Sequence, residues 1–295
     1  MAVAPVRCRR WEVMALGQVE GPEDLLYDSS GGGVIYTGCS DGWIKRVTVN
    51  DSAADSVVHD WVNTGGRPLG LALGLNGDIL VGDAYKGLVR VTREGKIELL
   101  TDEVEGVKFK LTDGVDVAED GTIYFTDASY RYSLNNFMFD FLEGKPHGRL
   151  ISYDPSTNRT TLLASNLHFA NGVAVSPDQQ FVVFCETPRK YNIKGSKKGR
   201  IENFIEDLPG FPDNIHYDAQ SQRYWVAMAM PSNLRHEAVA EIMEASGGLV
   251  SVDLEGKVMS HYNDTELILV SSGIKIASSI YFGSLLYPFI LRLHL

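Results

Sequence analysis

The amino-acid sequence predicts an all-β protein, a six-bladed β-propeller, from three observations. A phrase of short apolar strand, polar turn and buried strand recurs six times, around residues 22–27, 68–73, 112–117, 169–178, 212–217 and 271–276. The strand after each copy starts again every 42 to 59 residues, which is the period of four-stranded propeller blades. A spare strand-like segment also precedes the first copy, whereas the sixth unit ends one strand short.

Each repeat continues with a third strand, and most repeats add a fourth. The predicted third strands are residues 43–47, 88–91, 149–153, 191–193, 249–252 and 289–293. The fourth strands, such as residues 96–100 and 159–163, are more polar, as the outer edge of a sheet should be. The pattern therefore predicts four strands in each blade.

The spare N-terminal segment completes the ring in this interpretation. Residues 11–16 match the pattern of a fourth strand, so we expect residues 1–16 to pair with the last blade and close it. The whole chain, residues 1–295, is then one propeller domain.

Two repeats are lengthened by helical insertions, residues 130–146 in blade 3 and residues 234–245 in blade 5. The insertions could simply cover neighbouring blades. Alternatively they line the substrate entrance, where aromatic side chains such as Phe137 and Phe141 would hold an apolar ligand.

Composition restricts the kinds of partner. A net charge of −11 and a pI near 5.1 argue against nucleic-acid binding. No apolar run reaches the roughly 18 residues of a membrane span, so a soluble protein without a transmembrane segment is expected. The three cysteines cannot form a dense disulfide framework, and the first ten residues lack the apolar core of a secretory signal. Asn50, Asn158 and Asn263 stand in glycosylation sequons. The oligomeric state is left open, with a monomer expected.

Aligning the six copies brings one position of each innermost strand into register. These positions hold Glu23, Leu69, Asp113, Asn171, Asp213 and Ser272, and Asn214 follows directly after Asp213. Two carboxylates about 4 Å apart repel by about 4 kcal/mol at an effective dielectric near 20, and a cation would remove that repulsion. Carboxylate and amide oxygens suit Ca²⁺. Three alternatives remain: a water-filled channel that binds nothing, a structural calcium ion, or a calcium ion that polarises an ester or lactone carbonyl.

Three residues are candidates for acid–base catalysis. His168 lies three residues before Asn171, His216 lies two residues after Asn214, and Asp116 follows Asp113 on the same strand. A surface role for His168 and a core role for His216 are the simpler alternatives.

Four segments, residues 19–24, 65–70, 169–173 and 208–215, resemble plant strictosidine synthase-like proteins, and the resemblance extends over essentially the whole chain. It implies a six-bladed propeller of the superfamily that also contains paraoxonases and gluconolactonases. The calcium ligands of the lactonases in this superfamily match Glu23, Asp113, Asn171, Asp213 and Asn214. The resemblance also implies the endoplasmic reticulum or the vacuole as the compartment.

The chain departs from the catalytic patterns of these relatives. The acid/base glutamate of true strictosidine synthases aligns with Ser272, or with Ser271 if one gap is allowed, and neither serine can replace a carboxylate. Leu69 and Ala84 occupy the positions of the paraoxonase histidine pair. We therefore expect a calcium-dependent hydrolase of esters or lactones of small metabolites, with Leu69, Phe137, Phe141 and Ser272 lining the pocket. The alternatives are a non-catalytic propeller that binds a small ligand or a protein, and an alkaloid-forming Pictet–Spengler synthase that uses another acid/base.

Overall fold

Six four-stranded antiparallel sheets make up most of the described chain. The structure, a computed structural model, describes residues 11–30, 32–186, 188–206, 208–231 and 246–295. The chain groups into two compact units, one formed by the chain up to Gly65 and from Ile205 onward, the other by residues Gly66–Phe204. Each unit contains three of the sheets, which we call blades and number in chain order.

The first unit contains blades 1, 5 and 6. Blade 1 consists of β2 (Leu25–Asp28), β3 (Val34–Gly38), β4 (Trp43–Thr48) and β5 (Val58–Asn63). Blade 5 consists of β20 (Gly210–Asp218), β21 (Arg223–Pro231), β22 (Ser246–Val252) and β23 (Val258–Ile268). Blade 6 consists of β24 (Val270–Ile276), β25 (Ser279–Ser284), β26 (Ile290–His294) and β1 (Trp11–Met14).

The second unit contains blades 2, 3 and 4. Blade 2 consists of β6 (Pro68–Leu73), β7 (Ile79–Asp83), β8 (Gly87–Val91) and β9 (Ile97–Thr101). Blade 3 consists of β12 (Thr112–Val117), β13 (Ile123–Asp127), β14 (Gly148–Asp154) and β15 (Arg159–Leu167). Blade 4 consists of β16 (Val173–Val175), β17 (Phe181–Phe184), β18 (Arg189–Asn192) and β19 (Ile201–Asn203).

Short elements connect the blades. A two-stranded hairpin, β10 (Glu103–Val104) with β11 (Val107–Lys108), precedes blade 3. Single 3₁₀ turns span Ala53–Asp55, Leu134–Asn136 and Gly195–Lys197. The helix α1 (Phe137–Glu143) follows the second of these turns directly and ends at Gly144, whose φ of 62° provides the left-handed C-cap.

Apolar side chains fill the space between neighbouring blades within each unit. Leu249 of blade 5 packs in one cluster with Ile280 and Phe282 of blade 6. Ile151 of blade 3 shares a cluster with Leu80 of blade 2. These contacts follow from the alternation of the strands, because each inner strand directs successive side chains to opposite faces, and a face that meets another sheet of the same unit buries its apolar side chains there.

The fold prediction is confirmed: the sheets are the four-stranded blades of a six-bladed β-propeller. β1 pairs antiparallel with β26, with Glu12 opposite Arg292, as expected for a closing strand. The Trp11 ring also contacts Phe282 edge-on, with 5.1 Å between centroids. That the chain acts as one cooperative domain stays a prediction.

The insertion in blade 3 contains α1, so the helix expected within residues 130–146 is confirmed. The helix expected at residues 234–245 lies outside the described residues. Two sequon asparagines, Asn50 and Asn158, are exposed, whereas Asn263 lies within β23; their glycosylation stays a prediction. Within the described part of the chain, no helix has the length and apolar character needed to cross a membrane.

Candidate functional site

In four of the six blades, the innermost strand is irregular at or next to the position that the sequence alignment singled out. In blades 2, 3 and 5 the pairing with the second strand shifts register there. The residues within these shifts are Leu69 with Gly70, Asp113 with Gly114, and Asp213 with Asn214. A bulge of this kind redirects side chains away from the regular alternation. The strand starts that carry Asp113, Asp213 and Asn214 are therefore built differently from the rest of their blades. Glu23 and Asn171 instead precede the first residue of their innermost strands.

In the first unit, Glu23 and Asn214 are in direct contact. Asn214 Nδ2 donates a hydrogen bond of 2.7 Å to Glu23 Oε1, and each residue is only 2% exposed. Asp213, beside Asn214, is 6% exposed, so a second carboxylate is buried at this strand end. Ser271 Oγ fixes the Glu23 backbone by donating to its carbonyl at 2.6 Å. Burial of carboxylates requires compensation by donors or cations, and Asn214 provides one such donor.

Next to this contact, three blades of the first unit contribute one residue each to a polar cluster of Asp24, His216 and Ser272. His216 Nε2 lies 2.7 Å from Asp24 Oδ1, and Ser272 Oγ donates to the same oxygen at 2.7 Å. The Leu25 N–H donates to Asp24 Oδ1 as well, at 2.8 Å. The His216 side chain is 22% exposed and the Asp24 side chain 3%. A buried carboxylate therefore holds one edge of a partly accessible imidazole.

Asp24, His216 and Ser272 are the residue types of a hydrolase triad, but the hydrogen bonds between them differ from those of a triad. Ser272 Oγ lies 3.3 Å from His216 Nε2 and gives its proton to the Asp24 carboxylate instead, and Ser272 is fully buried. In a catalytic triad the serine is accessible and gives its proton to the histidine. Ser272 thus has the geometry of a positioning residue, whereas His216 and Asp24 form a histidine–carboxylate pair.

In the second unit, the segments of Asp113 and Asn171 touch. A Cβ built on Gly114 would lie 2.8 Å from the Asn171 carbonyl oxygen, and Thr126 Oγ1 bridges the segments by accepting from Gly114 N–H and donating to that same oxygen. Asp113 is 4% exposed and Asn171 is 7% exposed. Asn171 Oδ1 is buried and receives no hydrogen bond from any described residue, so it is an oxygen available to a cation.

Three of the predicted pocket residues also lie together in the second unit. Leu69 belongs to a buried apolar cluster against which Phe137 and Phe169 pack. Phe141 of α1 stacks at a tilt on Phe169, with 4.4 Å between ring centroids. Phe169 precedes Asn171 by two residues, so α1 packs against the segment that carries one of the predicted ligands. Ser272, the fourth predicted pocket residue, belongs to the polar cluster of the first unit.

The other two acid–base candidates have different surroundings. Asp116 accepts backbone N–H groups with both oxygens, from Val117 at 2.8 Å and from Val175 at 2.7 Å, and so ties β12 to β16. His168 is exposed, and its backbone N–H donates to Glu186 Oε1 at 2.7 Å. Among the three candidates, His216 is the one whose ring is oriented by a buried carboxylate.

The predicted ligands have the donor chemistry of a site for a hard metal ion. Within the ranges that the structure describes, no three His, Cys, Asp or Glu side chains are grouped closely enough to hold a metal by themselves. The predicted set is different in kind, because two of its five members are asparagines whose amide oxygens are ligands for Ca²⁺ but not for soft metals. Buried carboxylate and amide oxygens, together with Asn171 Oδ1, fit a hard cation in donor chemistry.

Asp24 is the functional residue that sequence reasoning missed, although a signal was present. The residue after each aligned position is glycine in four repeats, Gly70, Gly114, Gly172 and Gly273. The two exceptions are Asp24 and Asn214, and both make side-chain contacts in the site. A polar residue at a position that otherwise holds glycine could have identified them.

Two family models match the chain. The model described as "Strictosidine synthase" matches residues 113–199, and "Strictosidine synthase-like, N-terminal" matches residues 9–47. In three-dimensional comparison the chain resembles a gluconolactonase from Xanthomonas campestris with a TM-score of 0.71 at 15% identity, covering 95% of this chain and 88% of the other. It also resembles regucalcin from Agrobacterium tumefaciens, titled a calcium-binding protein, with a TM-score of 0.64 at 13% identity, covering 99% and 95%. At these identities the likeness establishes the propeller fold alone.

Similarity in sequence is much higher to plant proteins. Strictosidine synthase-like protein 6 from Arabidopsis thaliana is 48% identical over 310 residues, covering 96% of this chain and 81% of the relative. Strictosidine synthase-like protein 4 from the same plant is 47% identical over 304 residues, covering 96% and 82%. Identity at this level over nearly the full chain, together with the two matched models, shows that the chain belongs to the strictosidine synthase-like family.

Proposed function

We propose that the protein is a hydrolase of small esters or lactones in which His216, held by Asp24, is the general base. The observation that carries this proposal is the 2.7 Å contact between His216 Nε2 and the buried Asp24 carboxylate, with Ser272 fixing the same oxygen. Gluconolactonases among the structural neighbours are in keeping with this class of reaction.

The tautomer of His216 determines which ring nitrogen can act as the base. With a carboxylate oxygen as partner, Nε2 is the nitrogen that carries a proton, which makes Nδ1 the basic nitrogen. A histidine held in this way can take a proton from water as the water attacks a carbonyl carbon, and Asp24 stabilises the imidazolium that forms. The proton then passes to the leaving alkoxide oxygen, so the products are an acid and an alcohol, or one hydroxy acid from a lactone.

We propose Ca²⁺ as the metal, held by Glu23, Asp213 and Asn214 of the first unit. Asp113 and Asn171 of the second unit are the further ligands expected from the sequence. The ion would supply Lewis-acid stabilisation of negative charge on the carbonyl oxygen. The calcium-binding title of one structural neighbour is in keeping with this choice.

The reaction is tested with a panel of aryl esters and lactones, each measured with and without a chelator. His216→Gln should lower kcat by about 10²–10⁴-fold, the usual contribution of a general base. Ser272→Ala should have a smaller effect, because it removes one of the donors that hold Asp24. The matched control is His59→Gln, which changes an exposed histidine of β5 and should leave kcat unchanged. Loss of turnover in His168→Gln with full activity in His216→Gln would refute the assignment of the base.

The metal is tested separately by calorimetric titration of chelator-treated protein with CaCl₂. Wild-type protein should bind one ion, whereas Asp213→Ala should show no binding heat and no calcium-dependent rise in melting temperature. Asp51→Ala, which removes an exposed carboxylate of the same unit, should titrate like the wild type. Absence of calcium heat with the wild-type protein would contradict the metal proposal.

The same panel decides between the alternatives. Calcium binding without turnover of any ester or lactone would favour the non-catalytic binding propeller. The Pictet–Spengler reaction is tested with an arylethylamine and an aldehyde. Ser272 occupies the position of the synthase's acid/base glutamate, and it donates to the Asp24 carboxylate. Asp24 Oδ1 already has three protein partners, which favours a positioning role for Asp24. The compartment expected from the family resemblance, the endoplasmic reticulum or the vacuole, is tested by imaging a fluorescent fusion of the full-length protein.

A further inference from the structure

A cleft in the second unit has the features of a binding site for a small organic anion. Its volume is about 380 Å³, within the range of small-molecule sites. It lies between the loop after β7, the segment before β12 and the segment that leads into α1. The walls include Tyr85, Phe109, Lys110, Arg131, Tyr132 and Asn136.

The charged residues in the wall of this cleft are both cationic, although the protein as a whole carries a charge of −11. Lys110 Nζ donates to the Arg131 carbonyl at 3.1 Å, and among the described residues it forms no ion pair. Arg131 Nε lies 3.4 Å from Glu143 Oε2. Glu143 is shared with Lys145, which contacts its other oxygen at 2.7 Å. If Glu143 and Lys145 are counted as a neutral pair, Lys110 and Arg131 remain as positive charges at the cleft.

Glu143 remains charged and therefore stays engaged with its own partners. The hydrogen bond from Lys145, followed by that from Tyr132, lowers the pKa of Glu143 to about 2. Glu143 consequently stays ionised over the physiological pH range and remains paired with Lys145 and Arg131, so it offsets only part of the positive charge at the cleft.

The aromatic rings of the cleft are held in place before any ligand binds. Tyr85 donates its hydroxyl to Asn135 Oδ1 at 2.9 Å, and Tyr132 donates its hydroxyl to Glu143 Oε2 at 2.8 Å. Phe109 packs edge-on against Phe125, with 5.4 Å between ring centroids, and lies under the Arg149 guanidinium at 5.2 Å. Rings fixed in this way lose little conformational entropy on binding a flat ligand.

We propose that this cleft binds a small aromatic carboxylate, with the carboxylate at Lys110 and Arg131 and the ring against Tyr85, Phe109 and Tyr132. Guanidinium and ammonium groups are the donors that a carboxylate prefers, and offset or edge-on packing of rings supplies further affinity. The proposal is independent of the hydrolase proposed above, because it uses none of its residues.

The test measures binding of benzoate and of cinnamate to the full chain by saturation-transfer NMR and calorimetry. Acetate provides the charge without the ring, and benzyl alcohol provides the ring without the charge. Both should bind at least about ten-fold more weakly than benzoate, because each keeps only one of the two interactions. Raising the salt from 0.15 M to 1 M should weaken benzoate binding, since the screening length falls from about 8 Å to about 3 Å.

Two substitutions locate the site. Lys110→Gln and Arg131→Gln should each weaken benzoate binding about five-fold, and the double variant by more than about twenty-fold, as expected for partly exposed charge-assisted contacts. Lys108→Gln is the matched control, because Lys108 is two residues away, 61% exposed and paired with Asp102 and Glu103. It makes the same change in net charge and should bind like the wild type.

Several outcomes would overturn the proposal. These are no binding of benzoate or cinnamate to the wild-type protein, equal affinity for benzyl alcohol, or unchanged binding in the Lys110→Gln and Arg131→Gln variants. Both residues are exposed, so the variants should melt at the wild-type temperature. If one of them does not fold, the other variant and the salt dependence of the wild type decide the question.

Discussion

The closing strand of blade 6 provides the sharpest test of how this fold is held together. Arg292 on β26 lies opposite Glu12 on β1 and is 3% exposed as a side chain. Its Nε donates to Glu12 Oε2 at 2.8 Å, and its two terminal nitrogens donate to the carbonyls of Asn50 and Asp51, both at 2.6 Å. One buried guanidinium thus joins the N-terminal strand, the last strand and the chain following β4 of blade 1. Arg292→Met would remove all of these bonds while preserving most of the packing of the side-chain stem.

The repeat itself supplies a matched control. In blade 2, Arg90 on β8 lies opposite Glu98 on β9, in the same third-to-fourth-strand arrangement, but its side chain is 37% exposed. Arg292 makes four hydrogen bonds, two to Glu12 Oε2 and one to each of the two carbonyls, and each would be worth about 1.5–3 kcal/mol if fully shielded. Glu12 is one-third exposed, and the freed carbonyls of exposed residues can bind water, so we expect Arg292→Met to lower the free energy of unfolding by about 3 kcal/mol. Arg90→Met should lower it by less than about 1 kcal/mol.

The measurement is urea-induced unfolding followed by tryptophan fluorescence, supported by thermal melting at the same pH and salt concentration. Glu12→Gln and the double variant complete a cycle that isolates the coupling between the two side chains. Equal losses in Arg292→Met and Arg90→Met, or a loss below about 1 kcal/mol for Arg292→Met, would refute the reasoning that the buried guanidinium holds β1.

Three further predictions concern the second unit. The pKa of Glu98 should be about 2 in a carbon-detected NMR titration, because Lys96 and, to a smaller extent, Arg90 hydrogen-bond to its carboxylate. The ionised Glu98 therefore stabilises the fold fully above its unfolded pKa near 4.5, and this stabilisation is lost as the pH falls toward 2. Lys96→Met should raise that pKa toward the ordinary value, and an unchanged pKa would contradict this cause. Asp116→Ala should lower the melting temperature by an amount corresponding to about 2–3 kcal/mol, since two backbone N–H groups lose their acceptor, and should leave kcat unchanged if Asp116 is structural. Gly82→Ala should destabilise strongly in the same melting assay, because its Cβ would lie 1.8 Å from the Asp113 carbonyl oxygen; a wild-type melting temperature would refute that reasoning.

The blades could be predicted from the sequence because their signals are local. Short segments show the alternation of apolar residues and the turn residues, such as the Pro177–Asp178 pair, and these segments recur at a regular spacing. The closing strand could be predicted because the last repeat is one strand short. The helix α1 was predictable from a local signal too, its aromatic and aliphatic periodicity. The polar cluster was not, because His216 and Ser272 are 192 and 248 positions away from Asp24 and only the folded first unit brings them together. Likewise, only the structure could separate His216, whose ring is oriented by a carboxylate, from Asp116, whose oxygens hold backbone.

The contacts of the polar cluster and of Glu23 involve the two repeats that lack the glycine found in the other four. At the position after each aligned residue, glycine leaves room for a close approach: a Cβ on Gly70 would lie 2.5 Å from the Asp113 carbonyl oxygen, and a Cβ on Gly273 would lie 2.3 Å from Leu249 Cδ1, so the Leu249 side chain would have to move. A side chain at Gly70 or at Gly273 would therefore meet an adjacent blade. Asp24 and Asn214 occupy this position with polar groups, and both reach partners on other blades of the first unit, at 2.7 Å in each case. Two of the six repeats thus carry a polar side chain where the other four carry glycine, and the contacts of these two side chains between blades 1 and 5 contribute to the buried polar groups of the first unit.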